Sequence, residues 1–434
     1  MHLLRKITPH FLISTYHYLL AFVGAVVFGF PSRKLNVIAV TGTKGKSSVV
    51  ELISALLEEA GFKTAHASTI HFKIGDKVER NMHKMTMPGR FFLQHFLRRA
   101  VRAGCTHAVI EMTSEGARQF RHKFISLDAL IFTNLAPEHI ESHGSYENYV
   151  AAKVSLAKAL GCSPKREKAL IVNGDDKEAE KFLAVFSGKK IVYGKKDTTG
   201  EAISSEGVSF NWNGVRIESS LPGEFNLYNI LAAISYAKAS GVPIEKIKAG
   251  IEKVESIRGR AEEITLQASL RSDLKSEKRS DLGGTFPNFK IIVDYAHTPD
   301  SLEKLYQTYA GKFRICVLGN TGGGRDRWKR PVMAGIAEKY CDEIILTNED
   351  PYDENPEQII REMAAGIKSK RPTLIMDRRE AIRFALQKAS KGDAVLITGK
   401  GTDPYIMGQH GTKQVWDDAT VAKEELKKIL NSKN

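Results

Sequence analysis

A glycine-rich loop lies between a largely apolar run and a helical pattern, and it limits the folds that are open to this chain. The run Asn36–Val40 predicts a buried strand, the loop Gly42–Ser47 follows it, and a helix is predicted from about Lys46 to Glu59. A strand, a glycine loop and a helix in this order bring backbone N–H groups and the positive end of the helix dipole to one point. The chain is therefore expected to be an α/β protein that binds an anion at this loop.

The side chains of the loop indicate which anion. Lys46 can neutralise β- and γ-phosphate charge, and Ser47 or Ser48 can offer a hydroxyl to Mg²⁺. The loop is a shortened relative of the Walker loop, because Val40 and not glycine stands five positions before Gly45. A tight strand-to-helix turn without a ligand is the alternative. The candidate nucleotide-binding residues here are Gly42, Thr43, Lys44, Gly45, Lys46, Ser47 and Ser48.

The same alternation of strands and helices continues along the 434 residues, a length that predicts two or three domains. We expect a phosphate-loop central domain with a mostly parallel sheet over residues 35–256, and a Rossmann-like C-terminal α/β domain over 257–434. Residues 1–34 are expected to be an apolar helical segment. A hairpin is predicted near Gly207–Ile217, and the charged stretch 268–286 predicts a solvated loop insertion.

Residues 11–30 contain no Asp, Glu, Lys or Arg and are flanked by basic pairs. They just reach the length of roughly 20 residues that a membrane-spanning helix needs. Ser14, Thr15 and His17 dilute the hydrophobicity, so a helix that lies on a membrane surface or packs on the protein is an equal alternative. A cleaved signal peptide is disfavoured, because no small-x-small site precedes Pro31.

Charge and cysteine usage narrow the function classes. The net charge of +14 suits anionic partners, yet no dense basic tract interleaved with aromatic residues is present, so no nucleic-acid partner is expected. The four cysteines have no CxxC pair, which argues against a zinc ribbon and against a disulfide framework. A reducing compartment fits this pattern.

Acidic and histidine residues follow two predicted strands. Glu111 ends the strand His107–Glu111, which places a carboxylate beside the phosphate loop if the two strands are neighbours. The run Thr133–Gly144 follows another strand and contains two histidines and two glutamates, a set that suits Mg²⁺ or Mn²⁺ when phosphate and water complete the coordination. Taken alone, each histidine is as well explained as an ordinary loop residue.

Taken together, the motifs resemble the Mur ligases, and within that family the MurE-type branch, which adds the third residue of the peptidoglycan stem peptide. The resemblance runs from about Val37 to the C-terminus. The matching segments are Thr41–Ser48, Thr86–Pro88, Glu111–Ser114, Thr133–Gly144, Ala151–Lys153, Asn173–Asp176, Leu221–Asn229, Gly259–Arg260, Val293–Pro299, Arg325–Asp326, Lys329–Pro331, Asp377–Ile382 and Gly399–Gly401.

The resemblance implies roles for single residues. Lys46, Glu111, His139 and Lys153 would be catalytic, and Lys153 would be carbamylated. Metal ligands for two Mg²⁺ sites would come from Ser47, Glu111, His139 and Lys153. Outside the loop, the nucleotide would contact Asn229, Arg260, Asp294 and His297. The substrate residues implied are Thr86, Thr113, Ser114, Arg121, Asp350, Arg378, Gly399 and Asp403.

The implied reaction is ATP-dependent formation of an amide bond, through an acyl phosphate, between a muramyl-peptide carboxylate and an amino acid. The acceptor would be a small-molecule or lipid-linked peptidoglycan precursor, and the enzyme would be a cytoplasmic monomer. Contact with the inner face of the membrane is suggested by the apolar segment 11–30 itself and not by the resemblance, and packing of that segment on the protein is the alternative. Alternatives are a folylpolyglutamate- or cyanophycin-type amide ligase, and a non-catalytic nucleotide-binding partner of a cell-wall amidotransferase. The runs Asp294–Pro299 and Asp377–Ile382 favour the MurE-type branch.

The chain departs from the family pattern at its N-terminus and at two motifs of the C-terminal domain. Only about 34 residues precede the first strand, so the family's uridine-nucleotide-binding N-terminal domain is expected to be absent and the acceptor to be held differently. The segment that reads Asp-Asn-Pro-Arg in diaminopimelate-adding enzymes is Glu349-Asp350-Pro351-Tyr352 here, and Asp403 replaces part of a His-Glu pair. Because the arginine is missing, lysine or another diamine is expected ahead of diaminopimelate.

Overall fold

The computed structural model describes residues 10–138, 140–265 and 289–432, and the described chain forms two compact units. The first unit extends to Ile203 and also includes Gly207–Ser220 and Glu224–Glu255. The second contains the described residues from Ser256 onward, together with Ser204–Glu206 and Leu221–Gly223. The charged insertion predicted at 268–286 lies outside the described residues.

The first unit is built on an eight-stranded sheet. Its strands in chain order are β1 (Asn36–Thr41), β2 (Thr64–Ala67), β3 (His71–Ile74), β4 (Lys77–Arg80), β5 (His107–Glu111), β6 (Ala129–Phe132), β7 (Ala169–Asn173) and β8 (Lys189–Tyr193). The spatial order is β4-β3-β2-β5-β1-β6-β7-β8, and all pairs from β2 to β8 are parallel, whereas β3 and β4 are antiparallel.

Helices and one hairpin sheet complete this unit. The helices are α1 (His10–Val27), α2 (Lys46–Glu59), α3 (Arg90–Arg102), α4 (Ser114–Arg118), α5 (Ile140–His143), α6 (Tyr146–Gly161), α7 (Ala179–Leu183), α8 (Glu224–Ala239) and α9 (Ile244–Glu252). The predicted hairpin is present within an antiparallel sheet of β9 (Thr199–Ile203), β10 (Val208–Trp212) and β11 (Val215–Ser219).

Strand β1 sits at the centre of the sheet, between β5 and β6. Its residues Val37–Val40 have no solvent-exposed surface, as expected for a parallel strand that is covered by helices on both faces. The β1–β5 register pairs Val40 with Glu111, and the β1–β6 register pairs Thr41 with Phe132. The segments after these three strands therefore meet at one edge of the sheet, around the glycine loop.

The second unit is also an α/β structure. Its strands are β12 (Glu262–Glu263), β13 (Lys290–Asp294), β14 (Arg314–Leu318), β15 (Glu343–Leu346), β16 (Thr373–Leu374), β17 (Ala394–Thr398), β18 (Tyr405–Met407) and β19 (Lys413–Val415). Its helices are α10 (Pro299–Thr308), α11 (Lys329–Tyr340), α12 (Pro356–Ala364), α13 (Arg378–Lys388) and α14 (Asp418–Ser432). The main sheet has the order β12-β13-β17-β14-β15-β16, with only β12 antiparallel, and β18 pairs with β19. The predicted α/β fold, with a mostly parallel sheet in the central domain and a second α/β sheet in the C-terminal domain, is confirmed.

Helix α1 packs on the first unit through its small residues. Ala21, Gly24 and Ala25 are buried, and a Cβ added to Gly24 would lie 3.8 Å from atoms of Phe91 and Gln94 in α3. The opposite face is apolar and exposed, with Leu12, Tyr16, Leu19, Val23, Val26 and Val27 at helical spacing. Within the described residues, no helix combines the length and the apolar character that a bilayer crossing requires.

The expectation that the cysteines form no disulfide framework is wrong for one pair. Cys316 lies within β14, and Cys341 lies just before β15. Because β14 and β15 are neighbours, a sequence separation of 25 residues becomes a Cα–Cα distance of 6.0 Å, and the two cysteines form a disulfide. Cys105 and Cys162 are free thiols.

Candidate nucleotide, metal and substrate sites

The glycine loop has the close approaches that require glycine. Gly42 and Gly45 have positive φ angles of 149° and 82°. A Cβ on Gly42 would lie 1.9 Å from Thr133 Oγ1, and a Cβ on Gly45 would lie 2.3 Å from Asn229 Oδ1. Gly45 immediately precedes α2, so the unpaired backbone N–H groups of the first turn of that helix point toward the loop. The close approach at Gly45 shows that Asn229, a predicted nucleotide contact, lies directly against the loop.

Lys46, Ser47 and Glu111 gather at this loop. The Nζ of Lys46 donates hydrogen bonds to the carbonyls of Gly42 at 3.0 Å and Thr43 at 2.8 Å. The hydroxyl of Ser47 donates to Glu111 Oε1 at 2.6 Å. Hydroxyl and carboxylate oxygens are the metal ligands that Mg²⁺ prefers, and the ammonium group of Lys46 adds positive charge beside them. Ser48 is buried in the first turn of the helix.

Thr69 fixes the orientation of Glu111 and is itself in contact with Thr86. The backbone N–H of Thr69 donates to Glu111 Oε1 at 2.7 Å, and its hydroxyl donates to Oε2 at 3.2 Å. Thr69 Oγ1 in turn lies 2.8 Å from the hydroxyl of Thr86, a predicted substrate residue. Both carboxylate oxygens are thus held by the turn between β2 and β3, and Glu111 is only 2% exposed.

Lys153 reaches the same loop from α6. Its Nζ donates to the carbonyl of Gly42 at 2.7 Å and lies 5.0 Å from the ring centre of Tyr149. The residue is 2% exposed, and burial, reinforced by the nearby charge of Lys46, holds the pKa of the amine well below its usual value. The Tyr149 hydroxyl lies 2.9 Å from Thr43 Oγ1.

The segment after β6 supports the loop from its other side. Thr133 Oγ1 donates to the carbonyl of Lys44 at 2.7 Å, and Asn134 Oδ1 accepts from the N–H of Lys44 at 3.0 Å. Glu138 forms an ion pair with the Lys44 side chain at 3.2 Å. The predicted metal ligand His139 lies outside the described residues. The described part of the segment after β6 therefore supports the glycine loop through contacts with Lys44.

Three predicted substrate residues lie close to one another on the first unit. Ser114 Oγ is 3.1 Å from Nε2 of His143. Thr113 caps the short helix α4 by accepting a hydrogen bond from the N–H of Gly116. Arg121 donates to the carbonyl of Met87, next to the Thr86 segment. These side chains tie together the segments that follow β4, β5 and β6.

In the second unit, three predicted nucleotide residues gather at the carboxyl end of β13. Asp294 accepts hydrogen bonds from the N–H groups of Ala261 and Ala296, each at 2.6 Å. The guanidinium of Arg260 lies 4.9 Å from the centre of the Tyr295 ring. His297 Nδ1 is 2.6 Å from the carbonyl oxygen of Tyr295. Asp294 thus joins the segment that carries Arg260 to the segment that carries His297.

A second group surrounds Lys400 in the same unit. The Nζ of Lys400 donates to both carboxylate oxygens of Asp350 at 2.9 Å and lies 3.1 Å from Asp403 Oδ2. Lys400 has no exposed surface, so the two carboxylates offset the cost of burying its charge. The predicted substrate residues Asp350 and Asp403 are therefore brought together by a lysine that was not in the predicted set.

Arg378 and Gly399 lie beside this group. Arg378 is buried and donates two hydrogen bonds to Asp418, at 2.8 and 2.7 Å, and one to the carbonyl of Thr398. Its Nη1 has no hydrogen-bond partner among the described residues. The same holds for Oε2 of Glu349, which lies 2.4 Å from where a Cβ on Gly399 would stand. Two buried polar atoms of opposite character thus remain to be satisfied in this region.

Sequence reasoning missed several members of these sites. Tyr149 stands four residues before Lys153 on one helix, so the i, i+4 spacing alone places both on one face and was a usable signal. Thr69 gave no such signal, because its role depends on the turn between β2 and β3. Lys400 was visible only as the centre of a Gly-Lys-Gly motif.

Comparison with known proteins places these sites in a family context. Residues 40–237 match the Mur ligase middle domain, and residues 278–401 match the Mur ligase, glutamate ligase domain. The chain is 35% identical over 435 residues to the UDP-N-acetylmuramoyl-L-alanyl-D-glutamate--2,6-diaminopimelate ligase of Geobacillus kaustophilus, covering 96% of this chain and 84% of that protein.

Two solved structures show the same fold. A structure of a UDP-N-acetylmuramoyl-L-alanyl-D-glutamate--2,6-diaminopimelate ligase has a TM-score of 0.59 at 29% identity, covering 91% of this chain and 79% of the other. The Mycobacterium tuberculosis folylpolyglutamate synthase has a TM-score of 0.69 at 16% identity, covering 88% and 92%. The second similarity concerns the fold alone.

Proposed function

The chain belongs to the Mur ligase family of ATP-dependent ligases that form amide bonds, and we propose that it joins a muramyl-peptide carboxylate to a diamino acid during synthesis of a peptidoglycan precursor. The observation that carries this proposal is the convergence of Ser47, Glu111 and Lys153 on the glycine loop, with hydrogen bonds of 2.6 Å from Ser47 to Glu111 and 2.7 Å from Lys153 to Gly42. Two relatives that are 35% and 36% identical to this chain are both named as ligases of UDP-N-acetylmuramoyl-L-alanyl-D-glutamate and 2,6-diaminopimelate, and their names support the substrate class.

The donors at the loop fit ATP and Mg²⁺. Backbone N–H groups at the start of α2 and the Lys46 ammonium suit phosphate oxygens, and Ser47 with Glu111 suits a hard cation. Bound Mg²⁺ would offset the charge that spreads over the γ-phosphoryl oxygens during transfer. A second Mg²⁺ site that includes His139, and nucleotide contacts by Arg260, Asp294 and His297, remain predictions from the family pattern.

Lys153 is proposed to act as a carbamate. Its buried amine, whose pKa is held well below the usual value, has the neutral form that attacks CO₂. The N–C bond that forms releases one proton from nitrogen, and the product carries a negative charge where the free amine carried none or a positive one. An anion at this position would suit a metal bound near Glu111 and would end the unfavourable proximity to Lys46.

The proposed reaction has two steps. One oxygen of the substrate carboxylate attacks the γ-phosphorus of ATP, which releases ADP and leaves an acyl phosphate. The neutral amine of the incoming amino acid then attacks the acyl carbon and loses one proton to solvent, and phosphate leaves with that carboxylate oxygen. Lys46 holds the transferred phosphoryl group by charge, and the supports of Glu111 from Thr69 keep its carboxylate in place, so the chain acts mainly by positioning and electrostatics.

The amino-acid site is proposed to lie around Glu349, Arg378, Gly399 and the Lys400 group. The buried Nη1 of Arg378 is suited to the α-carboxylate, and the acidic oxygen of Glu349 to an ammonium group. Tyr352 occupies the position of the missing arginine, which favours lysine over diaminopimelate because a neutral hydroxyl neutralises no second carboxylate. The relatives named for diaminopimelate make that amino acid the competing outcome.

Helix α1 is proposed to contact a membrane surface. Its exposed stripe is apolar, its end is followed by the exposed cations Arg33 and Lys34, and its other face is fixed to α3. An apolar helix face with adjacent basic residues is suited to the interface of an anionic bilayer. Such a contact would keep the enzyme near lipid-linked precursors, which makes a lipid-linked acceptor a candidate beside the uridine-linked one.

A substrate panel tests the function. The purified chain is given ATP, Mg²⁺ and either a uridine-linked muramyl dipeptide, a lipid-linked muramyl dipeptide or a folate, each with lysine, diaminopimelate or glutamate. We expect ADP release only with a muramyl acceptor and a diamino acid, with lysine preferred. Turnover with folate and glutamate alone would instead assign the chain to the polyglutamate-forming ligases.

A further inference from the structure

A cluster of two histidines and one glutamate lies outside the residues assigned to ATP, Mg²⁺ or substrate. Glu51 projects from α2, His66 comes from β2 and His71 begins β3. One ligand atom from each residue lies within 4.8 Å of the other two, and no other such group of three is found among the described residues. Three different elements therefore bring metal-ligating groups to one point.

The distances within the cluster are close to those of a metal site. His66 Nε2 lies 2.8 Å from His71 Nε2, and Glu51 Oε1 lies 3.4 Å from the first and 3.6 Å from the second. Ligands at about 2.0–2.1 Å from a tetrahedral ion stand about 3.3–3.4 Å apart. The two glutamate distances match this spacing, and the histidine pair needs to open by about half an ångström, a side-chain adjustment.

The donor set points to the class of ion. Two imidazole nitrogens and one carboxylate are a common set for Zn²⁺ and related transition metals, whereas Mg²⁺ favours oxygen ligands in octahedral geometry. The site is reachable from solvent, because the side chains of His71 and Glu51 keep 20% and 17% of their surface exposed. We propose that Glu51, His66 and His71 form a binding site for a divalent transition-metal ion of the Zn²⁺ type, separate from the Mg²⁺ of the ATP site.

The surroundings of the cluster indicate what a bound ion would do. The turn between His66 and His71 contains Ser68, whose hydroxyl lies 3.4 Å from Glu51 Oε1, and Thr69, which holds Glu111. An ion bound by all three ligands would join α2 to both strands that flank this turn. It would therefore restrain the turn that orients the Glu111 carboxylate, and it would stabilise the folded first unit by mass action.

The alternative to a metal site is a hydrogen-bonded cluster in which the three side chains share protons. Burial, with an added contribution from the charge of Glu111, raises the pKa of Glu51 to about 8. A protonated Glu51 beside the two imidazoles would need no ion. Metal binding separates the two alternatives, because only a metal site binds one equivalent of a transition metal with a defined coordination geometry.

Co²⁺ titration of the untagged 434-residue chain, freed of metal by a chelator, tests the proposal. We expect one equivalent to bind with the intense visible absorption of a low-coordinate N/O site, and Zn²⁺ to displace it. Glu51→Gln and His71→Ala should each lower affinity at least tenfold, whereas His95→Ala, which removes an exposed histidine elsewhere in the same unit, should not. Glu111→Gln should also retain the signal, which separates this site from the ATP site.

Circular dichroism and thermal unfolding of each variant show whether it is folded, and Glu51→Gln preserves side-chain shape in case His71→Ala does not fold. Zn²⁺ should raise the melting temperature of the wild type and of His95→Ala but not of Glu51→Gln. Absence of stoichiometric binding to the wild type, or unchanged Co²⁺ spectra in folded Glu51→Gln and His71→Ala, would overturn the proposal.

Discussion

The exposed apolar face of helix α1 should contribute a measurable part of the affinity of the protein for a bilayer. Leu19 and Val23 stand one turn apart in the middle of the exposed stripe and are 54% and 45% exposed. The double variant Leu19→Gln/Val23→Gln should keep α1 helical, because the helix propensity of glutamine is close to that of leucine and higher than that of valine. It also leaves the net charge unchanged. It therefore removes apolar surface from the stripe without altering attraction to charged lipids.

Complete burial of a Leu or Val side chain is worth about 1.5–3 kcal/mol. About half of each side chain is still exposed in the protein, so contact with a bilayer would contribute roughly 1 kcal/mol for each, or about 2 kcal/mol for the pair. At 1.4 kcal/mol per tenfold, the partition coefficient of the double variant should be about thirty times lower than that of the wild type.

Cosedimentation with vesicles that contain phosphatidylglycerol and phosphatidylethanolamine measures this partition directly. The matched control is Leu374→Gln/Val415→Gln, which makes the same two exchanges at sites that are 52% and 68% exposed in the second unit. The control should sediment like the wild type. If the wild type stays in the supernatant, or if both double variants lose binding equally, the reasoning about α1 is refuted.

Three further predictions concern the first unit. Lys153→Ala should lower kcat at least a hundredfold because the site loses its proposed anion, and a short carboxylate such as acetate should restore part of the rate, whereas a purely structural lysine would give no rescue. Gly45→Ala should raise the KM for ATP at least tenfold, because its Cβ would lie 2.3 Å from Asn229 Oδ1 and the left-handed backbone costs a non-glycine residue a further ~1–2 kcal/mol. An unchanged KM would show that the loop does not bind the nucleotide. Burial lowers the pKa of His122 to about 3, so the unfolded state binds a proton below pH 6.5 that the folded state does not, and about 2 kcal/mol of stability should be lost between pH 6.5 and pH 5. Urea unfolding of His122→Gln should show a correspondingly weaker loss over this range, and an identical pH dependence in both proteins would contradict the assignment.

The sequence was most informative where a local pattern determines the structure. The apolar run of β1, the glycine loop and α2 follow from residues that are adjacent in the chain, and their order predicted the α/β fold. Strands β3 and β4 were not predicted, because His71–Ile74 and Lys77–Arg80 are polar and lie toward the edge of the sheet. Edge strands carry little hydrophobic periodicity, so the pattern gave no signal.

The sites were predictable to the extent that motifs stand at strand ends. Glu111 was placed beside the loop on the assumption that its strand neighbours β1, and the β1–β5 pairing confirms that assumption. The partners of Glu111, Lys153 and Asp350 depend on contacts between distant segments, as does the pairing of Cys316 with Cys341. Such contacts arise from the order of strands in the sheet, which local sequence patterns do not specify.

The transfer of an oxygen atom tests the proposed reaction most directly. A muramyl dipeptide whose reacting carboxylate carries ¹⁸O at both oxygens is incubated with the enzyme, ATP, Mg²⁺ and the preferred diamino acid, and the released phosphate is analysed by mass spectrometry. Passage through an acyl phosphate predicts one ¹⁸O atom in the phosphate for each amide bond formed, and a Lys46→Ala variant should form neither product. Amide formation with unlabelled phosphate, or ATP consumption with no amide product, would contradict the account.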